Sequence, residues 1–509
     1  MYNVLQMLEA TADRMPHQLA VADPCDSLTF AELRDAAQAA GSDFVRRGVE
    51  PRAAVAFYLE KSAKAWATML GVVYAGGFYS VIDVRQPVER VHSMLEALQP
   101  ALIVTDEEYA QKADELFDGL SCPVVCVDDV LGADVDDVCL ASVRRQATDV
   151  DPLYANFTSG STGTPKGFVA PHRSVLDFAQ VFTEAFGIDQ GDVLGNQAPF
   201  DFDVSVKDLY SSLLTGATVQ LIPRAYFSNP TQLMDYLCER EVTTLVWAVS
   251  ALCFVSVMGG LDYRVPTTVR RVLFSGEVMP PKQLRVWQRH LPDAVYVNLY
   301  GPSEITCNCT YYVVEREYED DETIPAGKAF PNERVFLLDE QDREVSEPDV
   351  MGEICVSGTC LVMGYLGSAE RTAKVFVQNP INTRWLEPIY RTGDLARYDK
   401  HGNLVYVSRK DHQIKHLGQR IELGDIEAAA HAVAGVERAC CLYDSVRKRL
   451  VLCYVGDIDR KDLKGELRRR LPQYMVPNNT RKLDAMPLNK NGKIDRGELA
   501  VLARVSRAR

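Results

Sequence analysis

The sequence predicts an α/β fold: a large N-terminal domain of doubly wound sheets ending in a β subdomain, then a small α+β C-terminal domain. Three observations carry that prediction. Apolar runs of β character alternate with helical stretches along most of residues 28–304, the pattern of a mainly parallel sheet. From about residue 324 to 407 the helical spacing gives way to short strands separated by Gly and Asp turns. The charge then changes sign. Residues 412–509 hold 20 Lys/Arg against 12 Asp/Glu, a net of +8, which leaves −23 on residues 1–411 of a chain at −15. The boundary falls between residues 410 and 411, and an acidic body with a basic tail domain points to two units with different partners.

The elements follow in order. Leu28–Leu33 is a short strand running into a helix with Thr29 as its N-cap, and residues 31–47 keep the spacing of one buried helical face. Val55–Leu59 is a strand and residues 62–75 a helix; Ala75-Gly76-Gly77 is a turn into the next strand. Ala101–Thr105 and Val124–Val127 are further apolar strands between helical stretches. Past residue 167 the alternation resumes: helix 173–186, strand Ala217–Ile222, helix 230–240, strand Thr243–Trp247, strand Val272–Glu277 and strand Val295–Glu304. The last two end in Gly turns and polar side chains. In open α/β sheets that is where ligands bind.

Composition bounds the function. Over 509 residues, 47% apolar and 25% charged is an ordinary globular balance. No apolar run approaches the ~18 residues of a membrane span, and the N-terminus lacks a basic n-region and an apolar h-region, so a cytoplasmic location is expected. The net charge of −15 argues against general nucleic-acid binding. Thirteen scattered cysteines, without zinc-site spacing, read as reduced and mostly buried.

The densest chemistry lies in Thr158-Ser159-Gly160-Ser161-Thr162-Gly163-Thr164-Pro165-Lys166-Gly167. Small residues with many N–H and hydroxyl donors can wrap an anion, and Lys166 adds a mobile charge. A flexible linker is the plain alternative, but apolar strand-like sequence flanks the loop on both sides. The Walker A spacing fails, because the fifth residue after Gly160 is Pro165. This is a polyphosphate loop outside the P-loop class. Further clusters are Tyr300-Gly301-Pro302-Ser303-Glu304, Tyr390-Arg391-Thr392-Gly393-Asp394, Ser408–Lys415, and Pro487–Arg496 with its lysines on a turn. Each alone is a common turn. Their order over this length is not common.

Together with Gly352–Leu366 and Leu471–Pro477, these clusters resemble the motifs of the adenylate-forming (acyl-activating) superfamily nearly end to end. The chain looks most like an amino-acid adenylation domain of non-ribosomal peptide synthetases, or a stand-alone D-alanine–carrier protein ligase. One departure is Ser408, where the family usually has Gly. The resemblance implies ATP and Mg²⁺ as cofactors and two half-reactions: a carboxylate attacks the α-phosphate, then a thiol displaces AMP. By similarity the 158–167 loop handles the outer phosphates, Ser303 contacts the α-phosphate, Glu304 holds Mg²⁺, and Tyr300 stacks on adenine. Asp394 binds the ribose hydroxyls with help from Arg409. Lys493 bridges the reacting groups in the first half-reaction. The small domain is then implied to be mobile, rotating about Asp411 so that Gly418 lines the thiol tunnel.

The same resemblance makes Asp203, with Asp201 as the alternative, the partner of the substrate's α-ammonium, in a pocket lined by Val204, Lys207, Ala248, Leu273, Ser275, Leu299, Cys307 and Asn308. A buried carboxylate is costly unless paired, which suits a cationic substrate group. Lys207 is open to two readings: an i,i+4 partner of Asp203 if the segment is helical, or a substrate-facing charge selecting a polar or acidic side chain. The dozen or so residues after the lysine motif leave no room for a carrier domain. The expected acceptor is therefore a phosphopantetheinylated carrier protein in trans. An acyl- or aryl-acid–CoA ligase of the same fold is the alternative, and Asp203 argues against it.

Overall fold

The computed structural model describes residues 1–117, 122–158, 165–410, 413–416, 418–488 and 494–505. They pack as two compact units, one of residues 1–84, 99–156 and 168–410, the other of residues 85–98, 157–167 and 411–509.

The first unit holds a nine-stranded sheet. Its order is Lys328–Ala329, Thr310–Val313, Val295–Tyr300, Arg271–Ser275, Thr244–Ala248, Val193–Asn196, Thr218–Leu221, Leu19–Ala22 and Ser27–Thr29. The middle of the sheet is parallel and both edges are antiparallel. A second sheet runs Val124–Cys126, Leu102–Thr105, Ala54–Tyr58, Phe78–Val81, Pro152–Thr158 and Lys166–Pro171. All five residues of Ala54–Tyr58 are buried, the near-continuous apolar run expected of a parallel strand covered on both faces. The β subdomain is a third, antiparallel sheet built around Glu333–Leu338, Met351–Gly358 and Pro388–Tyr398.

Local signals set the boundaries. Thr29 accepts from the Glu32 amide and the Glu32 carboxylate accepts from the Thr29 amide, a full capping box at the head of helix Phe30–Arg46. Removing such a cap costs about 1 kcal/mol. Helix His172–Phe186 ends at Gly187, whose φ of 61° few other residues adopt without strain. All thirteen cysteines are free and seven of them are buried. No helix among the described residues is long and apolar enough to cross a membrane.

The second unit carries the three-stranded sheet Val436–Asp444, Arg449–Gly456 and Asn479–Lys482, and the hairpin Gln413–His416/Gln419–Glu422. Helices Leu423–His431 and Arg460–Arg470 cover a core of Ile421, Ile426, Leu452, Tyr454, Leu463 and Leu467.

One buried group in the first unit gives the fold a pH dependence. His172 is 3% exposed and its Nδ1 accepts from the Val4 amide at 3.4 Å, which requires a neutral ring. Burial pushes its pKa down to about 4. The unfolded chain takes up a proton near pH 6.5 that the folded chain refuses, so stability is full above that pH and falls as pH drops towards 4. Denaturant melts should show about 2 kcal/mol lost between pH 7 and pH 5 from this residue alone. His172→Gln should be weaker at pH 7 but flatter; an unchanged slope would remove His172 as the cause.

Candidate functional site

Strand parity places the expected pocket residues. Val246 pairs with Leu273 and Ala248 with Ser275, and Leu273 pairs with Val297. Alternate residues share a face, so Ala248, Leu273, Ser275 and Leu299 line one side of the nine-stranded sheet. Leu273 and Leu299 join Cys307 in a single buried cluster, whereas Trp247 and Phe274 belong to the cluster on the opposite face.

Across this face runs the connector from strand Val193–Asn196 to helix Ser205–Thr215. Asp203 sits in the turn before the helix and is 4% exposed. The Cys307 thiol donates to the Asp203 carbonyl at 3.0 Å, which ties the connector to the far wall. Burial keeps that thiol protonated, and the Asp203 and Glu333 carboxylates act in the same direction. Val204 N-caps the helix and is buried. The helix begins at Ser205, and its amide bonds start one turn earlier: the Val206 amide donates to the Asp203 carbonyl and the Lys207 amide to the Val204 carbonyl, so Asp203 and Lys207 flank the helix start. Lys207 is 1% exposed, and its Nζ donates to Ser275 Oγ at 3.2 Å. Asn308 is 1% exposed, and its Oδ1 has no hydrogen-bond partner among the described residues.

Beside the pocket, strand Val295–Tyr300 ends in a tight turn. Thr306 and Cys307 have φ of 54° and 76°, left-handed values that cost on the order of 1–3 kcal/mol for a residue other than glycine. Gly301 lies under the turn, where a Cβ would come within 2.5 Å of the Asn308 Cα. The constrained segment presents Ser303, 9% exposed, and Glu304, 1% exposed. The Tyr365 hydroxyl donates to Glu304 Oε1 at 2.8 Å and the Val362 amide donates to the Glu304 carbonyl. No local sequence signal marks Tyr365 for this contact.

A third cluster joins distant parts of the unit. The Tyr300 hydroxyl donates to Asp394 Oδ2 at 2.6 Å, and Arg409 Nη1 donates to Asp394 Oδ1 at 2.9 Å. Burial and the adjacent Asp394 charge hold the phenol well above its ordinary value, so it stays a donor. Strand pairing sets the geometry, because Asp394 lies opposite Arg409 in the β subdomain. Each Asp394 oxygen keeps a lone-pair direction for a further donor, which fits a vicinal diol. Glu304, a hard carboxylate held on one oxygen by a phenol, fits a Mg²⁺ ligand.

Thr158, Lys166 and Gly418 belong to the second unit. Lys166 Nζ pairs with Glu422 Oε1 at 3.3 Å. Gly418 is buried with φ of 76°, a value natural to glycine at the turn between the two hairpin strands. Ser159, Gly160, Ser161, Thr162, Gly163, Thr164, Asp411 and Lys493 lie outside the described residues.

A family model described as AMP-binding enzyme matches residues 8–366. The L-proline–[L-prolyl-carrier protein] ligase of Streptomyces coelicolor is 33% identical over 493 residues, covering 92% of this chain and 91% of that protein. Tyrocidine synthase 2 of Brevibacillus parabrevis is 32% identical over 505 residues, 97% of this chain but 13% of that protein, so the chain spans about an eighth of that relative's length. Among solved structures, holo-PA1221, a non-ribosomal peptide synthetase protein containing adenylation and PCP domains, superposes with a TM-score of 0.85. It shares 26% identity, with 98% of this chain and 84% of that chain covered. The α/β architecture is that of adenylation-domain structures. With a family model over residues 8–366 and a relative 33% identical across nine-tenths of both chains, this chain belongs to the AMP-binding enzyme family.

Proposed function

We propose that the chain is an AMP-forming ligase that activates an amino acid as its adenylate, releasing pyrophosphate, and passes it to the phosphopantetheine thiol of a separate carrier protein. One observation carries the amino-acid reading: Asp203 is 4% exposed beside the residues expected to line the amino-acid pocket, with Cys307 bonded to its carbonyl and Ala248 and Ser275 paired on adjoining strands. A carboxylate buried beside such a pocket suits a cationic ligand group, and the α-ammonium of an amino acid supplies one. The proline ligase relative, matched over nine-tenths of both chains, supports the same reading.

The chain's groups divide the work. Asp394, braced by Tyr300 and Arg409, takes the ribose hydroxyls and fixes the nucleotide's rotation. Glu304, held by Tyr365, offers its carboxylate to Mg²⁺, which neutralises charge on the phosphates when bound. Two anions must meet in the first step, so placed cations contribute most. Lys493 and Lys166 are the proposed protein donors. Gly418 and the hinge at Asp411 serve the second step, in which the small domain presents a different surface.

Lys207 narrows the substrate. Its ammonium is buried in the pocket wall against Ser275, which supports a substrate side chain carrying an oxygen acceptor, acidic or otherwise polar. Lys207→Met should cut kcat/KM for that substrate about thirtyfold, roughly 2 kcal/mol, and spare small neutral amino acids. An acidic substrate untouched by the substitution would refute a substrate-facing lysine. The transfer step is tested by mass spectrometry of a holo-carrier protein incubated with enzyme, ATP, Mg²⁺ and amino acid. The carrier should gain the aminoacyl mass. An unmodified carrier, with coenzyme A thioesterified instead, would favour the coenzyme A ligase.

A further inference from the structure

The connector that carries Asp203 has eight residues, 197–204, outside any helix or strand. Its buried carbonyls need partners from elsewhere. Lys61, in the turn between strand Ala54–Tyr58 and helix Ala63–Tyr74, supplies them. Its Nζ donates to the carbonyls of Asn196, Gln197 and Ala198 at 3.0, 3.1 and 3.2 Å, and to Asn196 Oδ1 at 2.8 Å. Four oxygens converge on one nitrogen. Only an ammonium, with three donors and no lone pair, suits that arrangement.

The grip passes on to both walls of the pocket. Asn196 Nδ2 donates to Asp208 Oδ2 at 2.8 Å, and Asp208 follows Lys207 in the same helix. Gln197 Oε1 accepts from the Ala248 amide at 3.3 Å, at the end of the strand that bears Ala248. Asp208 is fully buried, and its Oδ1 has no hydrogen-bond partner among the described residues. Its charge therefore depends on Asn196 and on the two nearby lysines. We infer that Lys61 is a positioning residue for the amino-acid pocket: through Asn196–Ala198 it sets the connector bearing Asp203, and through Asn196 and Gln197 it fixes Asp208 and Ala248. Burial pushes the Lys61 ammonium down to about 7 and the Asp208 carboxyl up to about 7, and each charge pulls the other back towards its ionised form.

The inference rests on the amino-acid reading above for its kinetic arm and stands apart from it in a second arm. In pyrophosphate exchange, Lys61→Met should raise KM for the amino acid at least thirtyfold while KM for ATP stays within threefold. Lys61→Arg, which keeps the charge and several donors, should return the amino-acid KM to within about fivefold of wild type. Asn196→Ala leaves the three backbone carbonyl contacts of Lys61 but removes its side-chain contact and cuts the link to Asp208; it should show an intermediate rise and covers the case in which Lys61→Met does not fold. Hydrogen exchange by mass spectrometry should show faster exchange over 196–204 in Lys61→Met, with strands Thr244–Ala248 and Arg271–Ser275 unchanged. If wild type itself exchanges with no amino acid, the proposed function falls and the hydrogen-exchange arm alone judges Lys61. Unchanged exchange over 196–204, or a fall in kcat with both KM values held, would overturn the positioning role.

Discussion

Lys493→Ala should abolish adenylate formation while leaving transfer from preformed aminoacyl-adenylate largely intact. The first half-reaction brings a carboxylate onto a polyphosphate, and a cation is needed only while those charges converge. Losing one such donor costs on the order of 3 kcal/mol or more of transition-state stabilisation, a hundredfold or greater fall in rate. Transfer to a thiol involves no such encounter, and the proposed domain rotation takes Lys493 away from the site before it begins. Pyrophosphate exchange by the variant within tenfold of wild type would remove Lys493 from this role. Loss of both half-reactions together would mean a structural rather than a catalytic effect.

Asp203→Ala is the second large effect. The carboxylate is 4% exposed and its own carbonyl is held by Cys307, so the pocket cannot easily close over its loss. Without it the substrate ammonium would be buried unpaired, which costs about 3 kcal/mol or more in kcat/KM. Asp203→Asn separates charge from shape: it keeps the volume and should still lose at least an order of magnitude. ATP binding, measured by nucleotide fluorescence, should be unaffected in both. A variant that retained exchange with an amino acid would make the pocket reading wrong and raise the coenzyme A ligase.

The elements near the site were largely readable from sequence because their signals are local. The capping pair at Thr29 and Glu32, the Gly turn before Phe78, and the apolar strands leading to Ser275 and Tyr300 all announce themselves within a few residues. Tyr300, Asp394 and Arg409 were each singled out by motif, and the structure brings them within hydrogen-bond distance. Other features depend on the chain folding back on itself. Lys61 and Asn196 lie 135 residues apart, and no periodicity joins them. Tyr365 reaches Glu304 across 61 residues. The left-handed turn at Thr306 and Cys307 runs against the preferences of a β-branched residue, so propensity points away from it.

The most direct test is ATP–pyrophosphate exchange with the intact protein, Mg²⁺ and a panel of single amino acids that includes both enantiomers of alanine and the acidic residues. Mg²⁺-dependent exchange well above background is expected with one or a few amino acids. It should be lost in Asp203→Ala and depend on Lys207 when the best substrate is acidic or polar. Exchange with no amino acid, alongside exchange with a fatty or aryl acid, would contradict the account.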